Sequence, residues 1–288
     1  MQFEWVVSAR FANVALLAFL QRCLKDKAFS MRKLKGCIDA GFCFVNGRPQ
    51  RFSRSLVAAG DKIQLTVPEP KVHVPIQFVY EDECMLVIDK PEGCTCDERL
   101  VADLAQMGKK IELVHRLDKE TTGLLICAKS SDVKSYFIGQ FRSLSVHKKY
   151  LAIVDGVVKE DSATIENYLG PIERYQGHVK WGVVHKDGHY AASSWQVLKR
   201  AQKATLLMLM PKTGKTHQLR IHTSGMGHPI LGDHVYAKGF RCTYKAPRVM
   251  LHAHSLAFVR PKTGQVLECR AEPPEDFKAC LQGVSCAI

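Results

Sequence analysis

Apolar residues recur three or four positions apart at Val14, Leu17, Leu20 and Leu24, a spacing that predicts an amphipathic helix within residues 10–27. Ser30 stands as the N-cap of a second short helix, with Leu34 and Ile38 facing inward and Gly41 closing it. The outer face of that helix would carry Arg32, Lys33 and Lys35. The period then drops to two. FCFVNGRPQ (42–50) predicts a short strand that turns at Asn46-Gly47, a pair suited to tight hairpins because both residues tolerate positive φ. DKIQLTV (61–67) alternates as a second strand. Helix, basic helix and hairpin together predict a small domain over 1–67. PEPKVHVP (68–75) places three prolines in eight positions, which predicts an extended linker.

Beyond the linker, strand-like segments dominate: IQFVYED, CMLVIDK, GLLICAK, KYLAIVDG, VKWGVV, SSWQVLK, ATLLMLM, LAFVR and VLECRA. Helical periods interrupt them irregularly, in ERLVADLAQMG, SDVKSYFIGQFRS, TGKTHQLRIHTSGMG and PEDFKACLQG. Strands following strands predict an α+β fold for 76–288, a large mixed sheet that is mainly antiparallel. Strict strand–helix alternation is missing, and no GxGxxG or Walker-type loop occurs, so no nucleotide cofactor is expected.

The chain has 288 residues, 46% of them apolar, enough for a large core. The longest apolar run, Val14 to Leu20, is too short to cross a membrane. Glu4 and Trp5 stand where a basic leader would begin, so a cytoplasmic protein is expected. Eleven cysteines are scattered, with neither CxxC nor zinc spacing, which predicts reduced thiols and no metal site. The net charge of +13 points to a polyanionic partner. That excess is denser at the start: residues 1–70 hold 11 Lys and Arg against 5 Asp and Glu.

Four segments carry candidate chemistry. In VHRLDKETTGLLICAK (114–129), Asp118 lies two residues after Arg116, in a turn before an apolar strand. A cation beside a half-buried carboxylate favours its charged form. Spacing alone makes this an ordinary turn ion pair, and only a wider pattern makes it a nucleophile. In PKTGKTHQLRIH (211–222), Arg220 would lie on a helix beside His217 and Gln218, and would have to point inward to meet a buried acid. Tyr150 opens the strand in HKKYLAIVDG (147–156), next to two lysines, as a packing residue or a base-stacking platform. DKPEGCTCDE (89–98) forms a tight loop at a strand end.

HRLDKETTGLLICAK resembles the catalytic motif of the RluA-type pseudouridine synthases, written HRLD-x-x-T-S-G, with Thr122 in place of the serine. DKPEG, KKYLAIV, TGKTHQLRIH with GHPILGDHVY, and the tail LHAHSLAFVRPKTGQ to AEPPEDF resemble further motifs of that family in its order, over 75–280. Lys215 stands where arginine is common, and CTCDE replaces an expected His-Pro. Residues 10–67 are similar to the S4-like RNA-binding module that many members carry.

The resemblance implies isomerisation of uridine within RNA, with no cofactor. It implies Asp118 as nucleophile or base, Arg220 as its bidentate partner, and Tyr150 stacked on the uracil and available for late proton transfer. Arg116 would fill the position of the flipped base. His115, Lys149, Arg32, Lys33, Lys35 and Arg54 would contact RNA, and a monomer suffices. Large-subunit ribosomal RNA is the expected substrate and transfer RNA the alternative. A catalytically silent RNA-binding or ribosome-assembly protein is the main rival. A glycoside-type hydrolase would need a second positioned carboxylate, and the motifs offer none.

Overall fold

The computed structural model describes residues 1–27, 29–39, 41–67, 75–175 and 178–286. The chain divides into two compact units, Met1–His73 and Val74–Ile288. The expected linker, 68–75, lies outside the described residues except for Pro75.

In the first unit the described elements are β1 (Gln2–Val6), β2 (Val14–Ala15), α1 (Leu16–Cys23), α2 (Met31–Asp39), β3 (Cys43–Val45), β4 (Arg48–Pro49), β5 (Leu56–Val57) and β6 (Lys62–Thr66). The first helix is shorter than its apolar period suggests. Asn13 adopts a left-handed φ of 61°, and Val14 and Ala15 pair with Val57 and Leu56 instead of joining the helix. Ser30 caps α2 as expected, its hydroxyl accepting from the Lys33 amide at 3.2 Å. Asn46 and Gly47 both take positive φ, and Val45 pairs with Arg48 directly across them, so the hairpin forms where the pair predicts it. β1 went unforeseen; it runs antiparallel to β6 at the edge of a four-stranded sheet. Leu16, Phe19, Leu20, Leu34, Ile38, Ile63 and Leu65 close the core between helices and sheet.

The second unit contains β7 (Gln77–Glu81), β8 (Met85–Lys90), α3 (Glu98–Gln106), β9 (Glu112–Leu113), β10 (Thr122–Ala128), α4 (Ser131–Arg142), β11 (His147–Asp155), β12 (Ser162–Tyr175), β13 (His178–Val183), β14 (His189–Arg200), β15 (Ala204–Pro211), α5 (Gln218–Gly225), β16 (Leu251–Val259), β17 (Val266–Arg270) and α6 (Glu275–Cys286). The strands form one sheet in the order β13-β12-β14-β15-β11-β16-β10-β8-β7, with β17 added beside β16 and β9 beside β10. All pairings are antiparallel except β10 with β16, so the sheet is mixed and mainly antiparallel as expected. β12 is the longest strand that pattern reading misses. Its sequence is polar along much of its length and interrupted by Gly170-Pro171, near a register shift.

The centre of this sheet is buried on both faces. Leu86, Ile88, Leu125 and Cys127 pack under Leu100 and Leu104 of α3. Met85, Val87, Leu124 and Ile126 face the other way, with Phe137 of α4 and Phe258. The alternation of β8 and β10 therefore serves two cores at once, which explains why both segments read as continuous apolar runs. Burying Phe137 completely contributes roughly 1.5–3 kcal/mol.

Two glycines allow the backbone approaches beside the candidate site. Gly123 has φ 107°, and a Cβ there would collide with the backbone of Ala253 on the parallel neighbour β16. At Gly232, with φ 83°, a Cβ would collide with the carbonyl of Arg248.

Candidate active site

Asp118 sits in the loop that leads into β10, and that loop is tied down at successive backbone groups. The Leu117 amide donates to Cys96 Sγ at 3.3 Å. The Asp118 carbonyl accepts from Thr121 N–H. The Lys119 carbonyl accepts from Gly93 N–H and from Lys90 Nζ, and the Glu120 carbonyl accepts from Arg248 Nη1. Lys90 is fully buried and also donates to the carbonyls of Pro91 and Cys94, so an ammonium clamps the DKPEG loop to the Asp118 loop. Arg248, also buried, holds Asp276 of α6 through Nε and Nη2 at 2.6 and 2.9 Å. These bonds fix the backbone from which the Asp118 side chain projects before any ligand arrives.

Arg220 does point inward, as the expectation required. Its helix is buried on every side, from Gln218 to Thr223, which is why no apolar face is visible in the sequence. The expected bidentate pair with Asp118 is corrected by the structure. The fork of Arg220 grips Asp233, Nε to Oδ2 at 2.7 Å and Nη2 to Oδ1 at 2.9 Å. Asp118 receives a single contact, from Nη1 to Oδ2 at 3.3 Å. The reason is geometric: the Nε–Nη2 edge of one planar guanidinium cannot serve two carboxylates at once, and Asp233 comes from the loop packed on the same helix.

Asp233 Oδ1 also accepts from the amides of Val235 and Tyr236. Its side chain is 1% exposed against 23% for Asp118. The second carboxylate is thus sealed, and the first opens onto a cleft of about 520 Å³. Asp118 Oδ1 makes no hydrogen bond among the described residues, so one oxygen is anchored and the other is free. Arg220 is held above its ordinary value; burial opposes this, and the two aspartates more than offset it.

Tyr150 lines the same cleft from β11. Burial, reinforced by the Asp118 charge, raises its phenol well above the ordinary value. A phenol held protonated suits stacking and hydrogen-bond donation. Arg116 is exposed at the cleft wall.

His115 lines the cleft and also has a partner inside the protein. Its Nε2 accepts the Ile126 amide at 2.9 Å, the ring packs on Phe141, and burial, then Lys148, push it down to about 3. It is a neutral acceptor serving β10.

Lys149 is exposed, and its neighbour Lys148 lines the cleft, donating to the Thr213 carbonyl at 3.1 Å. Burial pushes Lys148 down to about 8. The two-residue strand period was the available signal, since it puts Lys148 on the face of Tyr150.

In the first unit Arg32, Lys35 and Arg54 are exposed, as expected. Lys33 is half-buried over the Phe29 ring at 5.0 Å. Lys35 pairs with Asp39 one turn away.

His217 and Tyr236 complete the site and went unassigned in the sequence. His217 Nε2 lies 3.8 Å from Asp118 Oδ2, and its Nδ1 lies 2.8 Å from the Tyr236 hydroxyl. Tyr236 places its ring 5.2 Å from the Arg220 guanidinium carbon, and burial pushes its phenol up to about 12. The described cysteines are free, Cys94 and Cys96 among them.

The large, mainly antiparallel sheet thus gathers a carboxylate, a tyrosine and a buried arginine round one cleft. The family model described as RNA pseudouridylate synthase matches residues 84–225. An uncharacterised RNA pseudouridine synthase of Aquifex aeolicus is 33% identical, over 91% of this chain and 90% of that protein. The ribosomal large subunit pseudouridine synthase D of Pseudomonas aeruginosa is 33% identical, over 86% and 85%. The solved human RNA pseudouridylate synthase domain containing 1 superposes with a TM-score of 0.62 at 28% identity, over 74% of this chain and 90% of that one. The chain belongs to the RNA pseudouridine synthase family.

Proposed function

We propose that this protein isomerises uridines of large-subunit ribosomal RNA to pseudouridine, with Asp118 as the reacting carboxylate. The observation that carries this reading is the asymmetry of Asp118: Oδ2 is anchored by Arg220, Oδ1 has no hydrogen bond among the described residues, and the side chain lines the cleft that Tyr150 also lines. The ribosomal substrate is supported by the names of relatives such as the Pseudomonas aeruginosa enzyme.

The bond between uracil N1 and the ribose C1′ breaks, and a bond between C5 and C1′ forms. C5 loses a proton and N1 gains one, so the product is an isomer and no donor or oxidant is required. Asp118 starts the reaction in its carboxylate form, either at the sugar or at the ring. The target base must leave its stack, at a cost of about a few kcal/mol. Tyr150 stacks on the flipped uracil, and Arg116 fills the space left in the RNA. The detached base has to be kept from water until the new bond forms. The first unit, read as an S4-like module, contributes phosphate contacts through Arg32, Lys35 and Arg54.

The test is tritium release from ribosomal RNA labelled at uracil C5, comparing the parent with Asp118→Asn. Release that depends on Asp118 is expected. Equal release by the variant would remove Asp118 from the chemistry; no release by the parent on this RNA would remove the ribosomal assignment.

A further inference from the structure

His217 sits at the entrance to α5 with φ 55°, in the left-handed region that few side chains adopt. The ring stands edge-on to Tyr236, centroids 5.6 Å apart, with Nδ1 at the phenolic hydroxyl and Nε2 toward Asp118 Oδ2. The carboxylate decides which nitrogen carries the proton. A bare Nε2 lone pair facing Asp118 would be repelled, whereas an N–H there is attracted. That places the proton on Nε2 and leaves Nδ1 to accept from the Tyr236 hydroxyl. Burial, the largest influence on His217, holds it below its ordinary value, in keeping with a neutral ring.

We propose that His217 is a positioning residue: Tyr236 holds it as the Nε2–H tautomer, and this N–H joins Arg220 Nη1 in clamping Asp118 Oδ2, leaving Oδ1 to face the substrate. This rests on Asp118 being the reacting group. The present gap of 3.8 Å exceeds a hydrogen bond of about 3 Å, and it closes when substrate fills the cleft, as contacts around reacting groups tighten on binding. Arg220 alone would leave the carboxylate free to pivot about one contact; a second donor on the same oxygen removes that freedom.

The test uses three variants of the full chain. His217→Asn retains a residue tolerant of positive φ and loses the reach of Nε2. His217→Gln restores an N–H near that position. Tyr236→Phe removes the hydroxyl and keeps the ring beside Arg220. Under single-turnover conditions His217→Asn should slow the reaction about 100-fold, at the low end for one positioned group, with RNA affinity unchanged. His217→Gln should recover part of the rate. Tyr236→Phe should be slower than the parent, and adding it to His217→Asn should cause no further loss. Nitrogen-15 NMR of labelled histidine should show Nε2 protonated in the parent and a mixed tautomer in Tyr236→Phe.

A normal rate for His217→Asn, additive effects in the double variant, or protonated Nδ1 in the parent would each overturn the proposal. Asp118→Asn is run alongside. If it is inactive and His217→Asn is normal, the clamp alone fails. If it retains full turnover, the reading of Asp118 fails first.

Discussion

The Asp118 loop and helix α2 both present charge, and they are built in opposite ways. Around Asp118 the charged groups are buried and directed: Arg220 is held by Asp233, Lys90 by three carbonyls, Arg248 by Asp276 and three carbonyls. On α2, Arg32 and Lys35 stand in solvent, and Lys35 answers only a neighbour one turn away among the described residues. The contrast fits the roles proposed for the two regions. A carboxylate that acts on one atom needs a fixed direction, which costs buried charges and their partners. A surface that attracts a polyanion needs only charge, because that attraction is long-ranged and unspecific. Single changes should therefore be severe in the first region and mild in the second.

The largest expected effect comes from Asp118→Asn, which should lower the single-turnover rate by about 10⁴-fold or more, with RNA affinity by filter binding within about threefold of the parent. A loss of binding in place of rate would merge the two regions and break the contrast. Next is Asp233→Asn, which leaves the buried Arg220 fork without its charge partner. Breaking such a pair costs about 3–5 kcal/mol, so the urea midpoint should fall and the rate with it. An unchanged midpoint would mean Arg220 is held adequately by Asp118 alone.

A smaller effect is expected from replacing Arg32, Lys35 and Arg54 together by glutamine. The rate at saturating RNA should stay, and the slope of log affinity against log salt should become shallower by about 0.7–0.9 for each phosphate no longer neutralised. An unaltered slope would take α2 off the RNA surface.

The mildest concerns Lys148, which gives up its proton near pH 8 when folded and near 10.5 as an ordinary lysine. Between those values the unfolded chain binds the extra proton, so stability should rise with pH across the window. Lys148→Met should flatten that rise in unfolding curves taken on either side of pH 8.

Much of the fold is legible in the order of residues. The hairpin at Asn46-Gly47, the Ser30 cap and the two-sided strands β8 and β10 follow from local rules on turns, caps and periods. β12 escapes them because its polar stretches and Gly170-Pro171 resemble a loop, and it becomes a strand only by pairing with β13 and β14. Within the site, Asp118, Tyr150 and Arg220 converge on one cleft, as the motif order suggested. That Lys148 shares the face of Tyr150 was legible from the strand period. The bond from His115 to β10 was not, because its partner is a backbone amide eleven residues away on a strand it packs beside.

Residue order was enough to specify the family, the mainly antiparallel α+β sheet and the residues that could react, since these depend on motif identity and short periods. Which charge meets which was settled only by packing. Arg220 and Asp118 are 102 residues apart, and Asp233 outcompetes Asp118 for the guanidinium fork because its loop packs on α5 and its Oδ1 is already held by two amides. A pairing of that kind depends on distances and angles after packing, and no periodicity along the chain encodes it.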